Sequence, residues 1–161
     1  MRSASELQAV TFGLGAETFA VPVALVREIL DWSETFRIPN GPDYLMGLTD
    51  LRGEGITTID LRLRLGLPHV APTPSTRILV VDVPVDGRTL VLGLVVDRVL
   101  EVSTFDCRHI GDAPDIGIRW PSRYIGGVVK RAEGFVVLVD VAQIFSSADT
   151  AALVATAAAA A

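Results

Sequence analysis

The hydrophobic and polar positions of the first half of the chain recur in the second half. Residues 19–29 match residues 92–102 at a constant offset of 73 (92 − 19 = 73), with apolar residues on apolar residues and Glu28 on Glu101. Residues 44–48 match residues 124–128 at a second offset of 80 (124 − 44 = 80), which also relates 59–61 to 139–141. The pattern predicts two copies of one small β-rich unit packed together.

Short apolar runs bounded by glycine turns predict strands in both copies. The predicted strands cover residues 10–14, 18–21, 36–38, 44–52, 56–59, 78–83, 89–96, 124–129 and 135–139, with hairpin turns at 15–17, 53–55, 86–87 and 132–134. Short strands at regular spacing favour small closed barrels over a sandwich or a parallel sheet. The predicted fold class is therefore mainly β.

Two segments interrupt this pattern with helical spacing. Apolar residues at Val23, Val26, Ile29 and Leu30 predict a short helix that has Pro22 in its first turn. The repeat predicts a matching helix at residues 97–102, and residues 141–145 predict a closing helix.

Composition narrows the class of function. The net charge of −5 disfavours a general nucleic-acid binder, which needs a basic face to offset phosphates. Cys107 is the single cysteine, so no intrachain disulfide can form, and no apolar run approaches the roughly 18 residues that span a membrane. The expected location is the cytoplasm, without membrane insertion.

Searches for catalytic or cofactor motifs are negative. The sequence has no phosphate-binding loop, and Gly13-Leu14-Gly15 lacks the third glycine of a dinucleotide fingerprint, since Thr18 stands there. His69, Cys107 and His109 are candidate metal ligands or nucleophiles, but a structural zinc site needs about four ligands. We expect no catalytic set, metal or cofactor.

Asp60 and Asp140 occupy equivalent places in the two copies, where a strand ends and a helix can begin. A general acid–base pair is one interpretation. Helix capping is the favoured one, because an aspartate there satisfies free backbone N–H groups. For Arg52, at a hairpin tip, three interpretations stay open: solvation, pairing with a nearby acid, or contact with a partner's carboxylate.

Several motifs, in order, resemble those of the CheW-like family of chemosensory adaptors. They are Phe12-x-Leu14-Gly15, Phe19-Ala20-Val21, Val26-x-Glu28-Ile29, Arg37-Ile38-Pro39-Asn40-x-Pro42, residues 44–53 (YLMGLTDLRG), Ile59-Asp60-Leu61-Arg62, residues 94–99 and Tyr124-Ile125-x-Gly127. The likeness covers residues 10–145. It implies two tandem five-stranded SH3-like barrels with short helices, in a domain at 8–146 with approximate subdomains 8–70 and 75–146. Strands can cross between such subdomains. A flexible leader (1–7) and an alanine-rich tail (147–161) would flank the domain.

The resemblance also implies a function. CheW proteins are non-catalytic adaptors that couple the cytoplasmic tip of a methyl-accepting chemoreceptor to the regulatory domain of the histidine kinase CheA, in arrays at the inner membrane. By position, the receptor-binding residues would be Val26, Glu28, Ile29, Met46 and Arg52. Met46 stands where the family often has a basic residue, which suggests an apolar contact, and Asp50 replaces the usual asparagine.

The kinase-binding residues are predicted at hairpin tips at the ends of the second barrel. These are Val85, Asp86, Gly87, Arg88, Ala132, Glu133 and Gly134. We also predict that Glu28 and Arg52 pair across the first barrel and orient a receptor groove.

Two other functions are carried as alternatives. The chain could be a CheW-like regulatory part of a larger kinase or of a receiver fusion, whose additional domains would lie in flanking sequence. A small hydrolase using Asp60 and Asp140 is the enzymatic alternative, and it would need a cleft that joins the two carboxylates.

Overall fold

A computed structural model describes residues 5–37, 41–85, 87–111, 125–132 and 134–144 of the chain. Most of the described residues lie in β-strands. The strands are β1 (Glu6–Leu14), β2 (Glu17–Pro22), β3 (Val26–Asp31), β4 (Leu45–Leu51), β5 (Glu54–Asp60), β6 (Arg77–Val85), β7 (Arg88–Val96), β8 (Arg98–Asp106), β9 (Ile110–Gly111), β10 (Ile125–Arg131) and β11 (Gly134–Val139).

The helices in the part of the chain that the structure describes are short. Two α-helical turns, α1 (Leu61–Arg64) and α2 (Val141–Ile144), each follow a strand, and 3₁₀ turns occupy Val23–Leu25 and Cys107–His109. The predicted helix over 23–30 is wrong, because only Val23–Leu25 is helical and the remainder is β3. Its counterpart at 97–102 is wrong as well, because that segment belongs mostly to β8.

β-Bulges explain both errors. In β3 the register shifts between Val26 and Glu28, so the residue between them is skipped in the pairing with β6. In β8 the corresponding skipped residue is Leu100, which lies between the paired residues Val99 and Glu101. A bulge inserts one extra residue and breaks the two-residue alternation of a strand. The apolar positions then recur three and four residues apart, as they would in a helix.

The strands form two antiparallel-rich sheets of equivalent order. The first is β3-β6-β7-β5-β4, and the second is β8-β1-β2-β11-β10-β9. In each sheet one parallel pairing stands at the centre, β5 with β7 and β2 with β11. Each sheet curls into an SH3-like barrel, so the predicted fold class is confirmed; in the following, the first sheet forms barrel 1 and the second forms barrel 2.

The two copies exchange a hairpin. Barrel 1 combines β3, β4 and β5 of the first copy with the β6–β7 hairpin of the second copy. Barrel 2 combines β8 to β11 of the second copy with the β1–β2 hairpin of the first copy. Both sheets therefore draw on both predicted subdomains, 8–70 and 75–146. β1 begins at Glu6, inside the interval 1–7 that the sequence assigned to a leader, whereas the tail 147–161 lies outside the described residues.

Three apolar clusters hold this arrangement together. A central cluster joins side chains from both barrels, among them Phe12 and Phe19, which stack with ring centroids 5.8 Å apart. A second cluster lies inside barrel 2 around Phe105, and a third lies inside barrel 1 around Ile78 and Val80. The core is thus divided between the barrels and continuous across their junction.

Within the described residues, one isolated β-bridge closes barrel 1. After β3 the chain crosses to β4, where Phe36 and Leu48 exchange two backbone hydrogen bonds of 2.8 and 2.9 Å. The close approach requires a residue without Cβ at position 47, since a Cβ on Gly47 would stand 2.0 Å from the Phe36 carbonyl oxygen. Gly47 also has a φ of 136°, a region that L-residues rarely adopt.

A bidentate ion pair ties the barrels together at their junction. Arg62, on α1 of barrel 1, donates to Asp97 through Nε (2.8 Å) and through a terminal nitrogen (2.6 Å). Asp97 lies where the chain passes from β7 in barrel 1 to β8 in barrel 2, and it accepts the Gly15 N–H of the β1–β2 turn at 2.7 Å. Arg98 donates to the Gly15 carbonyl at 2.8 Å. Three segments from both barrels therefore meet at one carboxylate.

Among the described residues, no helix has the length and apolar character needed to cross a bilayer.

We predict that Gly47→Ala destabilises the protein by about 3 kcal/mol, because the added methyl both collides with the Phe36 carbonyl and stands at an unfavourable φ. Urea unfolding measures the free-energy change. Gly66→Ala is the matched control, since Gly66 has a φ of 82° with nothing within 4 Å of an added Cβ. Only the conformational cost, about 1 kcal/mol, is expected there. Equal losses in the two variants would show that the close approach of the Phe36 carbonyl adds no cost.

A second prediction concerns pH. The hydrogen bonds from Arg62 hold the pKa of Asp97 below its ordinary value. A carboxylate with a lowered native pKa contributes stability above its unfolded pKa of about 3.9, and this contribution disappears as the pH falls through the native value. Wild type should therefore exceed Asp97→Asn by about 2 kcal/mol at neutral pH, and the difference should shrink below about pH 4. Urea unfolding of both proteins across this range checks it; a constant difference would contradict the role of the charge.

Candidate partner-binding surfaces

The predicted pair of Glu28 and Arg52 is present. Glu28 lies on β3, at one edge of the barrel 1 sheet, and Arg52 lies in the turn between β4 and β5 near the opposite edge. An Arg52 terminal nitrogen donates to Glu28 Oε1 at 2.6 Å. We call the line along which these two edges of the sheet approach each other the seam of barrel 1. The Glu28–Arg52 ion pair spans this seam.

The exposure of the Glu28–Arg52 pair allows it to orient two charged side chains but to add little to the stability of the fold. The Arg52 side chain is 74% exposed and that of Glu28 is 27% exposed. An ion pair so open to water contributes at most about 1 kcal/mol. It nevertheless holds a cation and a carboxylate at fixed places on the surface, where a partner can exchange hydrogen bonds with either group.

The turn that carries Arg52 differs from the sequence prediction. The predicted turn was 53–55, but the turn residues are Arg52 and Gly53, and β5 already begins at Glu54. Both have positive φ, 51° and 87°, as a type I′ hairpin requires. Asp50 accepts the Gly53 N–H at 2.9 Å, so the residue that replaces the usual asparagine holds the turn. A left-handed arginine is a rare conformation, and the tight turn holds it there.

The β3 residues divide between inside and outside. Val26 is half-buried and packs against the central cluster, whereas Ile29 is 43% exposed. Arg27, also exposed, pairs with Asp82 of β6 at 2.8 Å. Of the predicted receptor residues on this strand, Ile29 is the apolar one that offers a side chain to solvent, and Val26 serves mainly in packing.

Met46 lies on β4, two residues before Leu48 of the closing bridge, and lines an open cleft of about 800 Å³. Trp32, Leu63 and Pro72 supply apolar walls, and Thr35 donates to the Met46 carbonyl at 3.0 Å. Met46 is half-buried and stands beside these apolar residues in the lining of the cleft.

The two predicted kinase-binding tips lie on different barrels. Gly87 and Arg88 are exposed in the β6–β7 hairpin, which belongs to barrel 1, and Val85 ends β6. Ala132 and Gly134 are exposed at the β10–β11 turn of barrel 2. The expectation that both tips end the second barrel is therefore wrong, because the hairpin exchange moves β6–β7 to barrel 1. Asp86 and Glu133 fall outside the described residues.

Asp60 and Asp140 act as helix caps, as predicted. Asp60 Oδ1 accepts the Leu63 N–H at 3.4 Å, and Asp140 Oδ1 accepts the Gln143 N–H at 3.3 Å. The other Asp60 oxygen lies 2.8 Å from His69 Nδ1. Both carboxylates are thus engaged in local structure, and each belongs to its own barrel.

The candidate metal ligands do not form a site. Cys107 and His109 lie in a 3₁₀ turn and are exposed. Next to them, hydrogen bonds from Arg108 hold the pKa of Asp106 far below its ordinary value. Across the described residues, no group of three or more His, Cys, Asp or Glu side chains is arranged to hold a metal ion.

Sequence reasoning missed one set of exposed apolar side chains. Phe36 is 69% exposed beside the closing bridge of barrel 1, and Val102 is 60% exposed on barrel 2. Leu100 and Phe135 are also exposed on barrel 2. The repeat could have indicated Val102, because it is the equivalent of Ile29 at the offset of 73 (102 − 29 = 73).

Comparison with known proteins gives a family and named relatives. Residues 8–149 match the model of the CheW-like domain. The chain is 31% identical over 140 residues to the chemotaxis protein CheW of Klebsiella aerogenes, covering 87% of this chain and 82% of that protein. It is 31% identical over 138 residues to the chemotaxis protein CheW of Rhizobium meliloti, covering 86% of each.

A solved structure has the same fold. The crystal structure of the scaffolding protein TtCheW from Thermoanaerobacter tengcongensis superposes with a TM-score of 0.78, covering 92% of this chain and 93% of that chain at 24% identity. Together, the duplicated exchange of hairpins, the match over most of the chain and the relatives above lead to one assignment. The chain belongs to the CheW-like family and is a chemotaxis scaffold adaptor, not an enzyme.

Proposed function

We propose that this adaptor couples the cytoplasmic tip of a methyl-accepting chemoreceptor to the regulatory domain of the histidine kinase CheA. It would act in the cytoplasm, within receptor arrays at the inner membrane, and it would transmit receptor state by contact alone. The observation that carries the proposal is the seam of barrel 1, where Glu28, which pairs with Arg52, stands on the same strand as exposed Ile29.

The seam has the chemistry of a helix-docking surface. Amphipathic helices dock with apolar side chains in a groove and polar groups at its rim. Ile29 offers an apolar anchor, and Glu28 and Arg52 offer a rim with both charges in fixed positions. The overlap of Val26 with the central cluster means that its contribution to binding would be indirect, through the position of β3.

The kinase contacts are proposed at the hairpin tips of the two barrels. Gly87 and Arg88 present one exposed tip, and Ala132 and Gly134 present the other. Since the tips belong to different barrels, a single adaptor could contact two kinase regulatory domains or two different parts of one. Separate surfaces for receptor and kinase are what an adaptor needs in order to hold both at once.

We predict that Ile29→Asp weakens capture of a receptor signalling tip by at least about tenfold, because a carboxylate would be buried in an apolar contact. Isothermal titration with a receptor tip fragment measures the affinity. Phe135→Asp is the matched control, since Phe135 is 49% exposed on barrel 2, and its effect should be small. If both variants bind as wild type does while folded, the receptor surface lies elsewhere.

The kinase contact has a test of its own. Arg88→Gln removes one exposed positive charge from the β6–β7 tip, and we predict about fivefold weaker binding of a CheA regulatory domain, with a weaker dependence on salt. Arg108→Gln removes an exposed positive charge that pairs with Asp106, from the 3₁₀ turn of barrel 2, and should leave binding unchanged. An equal effect of the two substitutions would indicate general charge attraction and would remove the tip from the interface.

A further inference from the structure

The junction of the barrels has a local two-fold character. Helix α1 follows β5, helix α2 follows β11, and the offset of 80 makes Arg64 and Ile144 equivalent (144 − 64 = 80). These two equivalent residues touch each other, since Arg64 donates a hydrogen bond to the Ile144 carbonyl. The α1–α2 contact therefore marks the place about which the two barrels are related.

The Arg62–Asp97 ion pair stands on one side of this axis. The Arg62 and Asp97 side chains are 13% and 20% exposed, and both Asp97 oxygens accept hydrogen bonds from Arg62. Asp97 also binds the Gly15 turn of barrel 2, and Arg62 reaches the Pro68 carbonyl of the connecting segment at 3.2 Å. A half-buried bidentate pair has one well-defined geometry, unlike a pair of solvated charges.

The equivalent positions on the other side of the axis are alanines. The offset of 73 relates Asp97 to Ala24 (97 − 24 = 73), and the offset of 80 relates Arg62 to Ala142 (142 − 62 = 80). Ala24 is exposed on its 3₁₀ turn, and Ala142 packs against the central cluster. Two methyl groups can form neither an ion pair nor a hydrogen bond. The two copies therefore share the same fold, but the ion pair is present on one side of the axis and not at the equivalent positions on the other.

We propose that Arg62 and Asp97 are positioning residues that fix the angle between the two barrels from one side of their interface. The central apolar cluster holds the barrels together, but apolar contacts are not directional and permit small rotations. The bidentate ion pair is directional, so it restricts these rotations. On the opposite side, where Ala24 and Ala142 stand, the equivalent ion pair is missing.

This arrangement bears on the adaptor role. If the proposed function holds, the receptor surface lies on barrel 1 and one kinase tip lies on barrel 2, so the angle between the barrels sets the direction between two partners. Loss of the ion pair should then weaken simultaneous binding by about fivefold or more while binding of each partner alone is unchanged.

Distances between spin labels on the two barrels test the proposal directly. One label is placed on native Cys107, exposed on barrel 2, and the other on Glu54→Cys, exposed at the start of β5 in barrel 1. Pulsed dipolar spectroscopy should give a broader or shifted distance distribution for Asp97→Asn and for Arg62→Lys than for the labelled parent. The double variant should add little to either single variant, because each already removes the bidentate geometry.

The control is Arg27→Gln, which breaks the Arg27–Asp82 ion pair within barrel 1 and should leave the distribution unchanged. Circular dichroism of each variant confirms folding, and Arg62→Lys serves if Asp97→Asn is too unstable. Parent-like distributions in Arg62→Lys and in any folded Asp97→Asn would overturn the proposal. So would equal broadening in Arg27→Gln. Failure of the parent protein to bind receptor or kinase would instead count against the proposed function, and the distance result would stand by itself.

Discussion

The hairpin that each copy gives to the other determines how the molecule is built. Neither copy has a complete sheet of its own, because β1–β2 closes barrel 2 and β6–β7 completes barrel 1. The central cluster forms where the exchanged hairpins cross, and Phe12, Phe19, Leu79 and Leu94 are all fully buried in it. Separating the barrels would expose this cluster, and separating the two copies would break both central parallel pairings. Surfaces on the two barrels therefore keep a defined relation although they lie on separate sheets.

The duplication and the fold class could be predicted from the sequence because they depend on patterns that repeat. The glycines, the apolar runs and the capping aspartates recur at constant offsets, and those offsets are found again in the strand registers. The path of β3 and β8 could not be predicted in the same way. Each contains a bulge, and one extra residue is enough to change alternating spacing into spacing that resembles a helix.

The candidate partner-binding surfaces also have features that could be predicted from the sequence and features that could not. The pairing of Glu28 with Arg52 was predictable, because a charged residue at a hairpin tip and an acid in a family motif were both conspicuous. The assignment of both kinase tips to one barrel was wrong, since sequence order gives no sign of exchanged hairpins. The Arg62–Asp97 pair was not predicted either. Its partners are 35 residues apart (97 − 62 = 35), and Arg62 was noticed only as part of a motif.

The exchange also orders the events of folding. All strands of barrel 1 lie in one continuous stretch, from β3 to β7, whereas barrel 2 is divided into pieces on either side of that stretch. Its central pairing joins Phe19 to Val137, a separation of 118 residues (137 − 19 = 118), against 35 for Ile59 and Leu94 in barrel 1 (94 − 59 = 35). Closing the longer loop is slower and costs more entropy. During synthesis barrel 1 can assemble first, while the apolar face of the N-terminal hairpin waits unpaired for β11 to leave the ribosome.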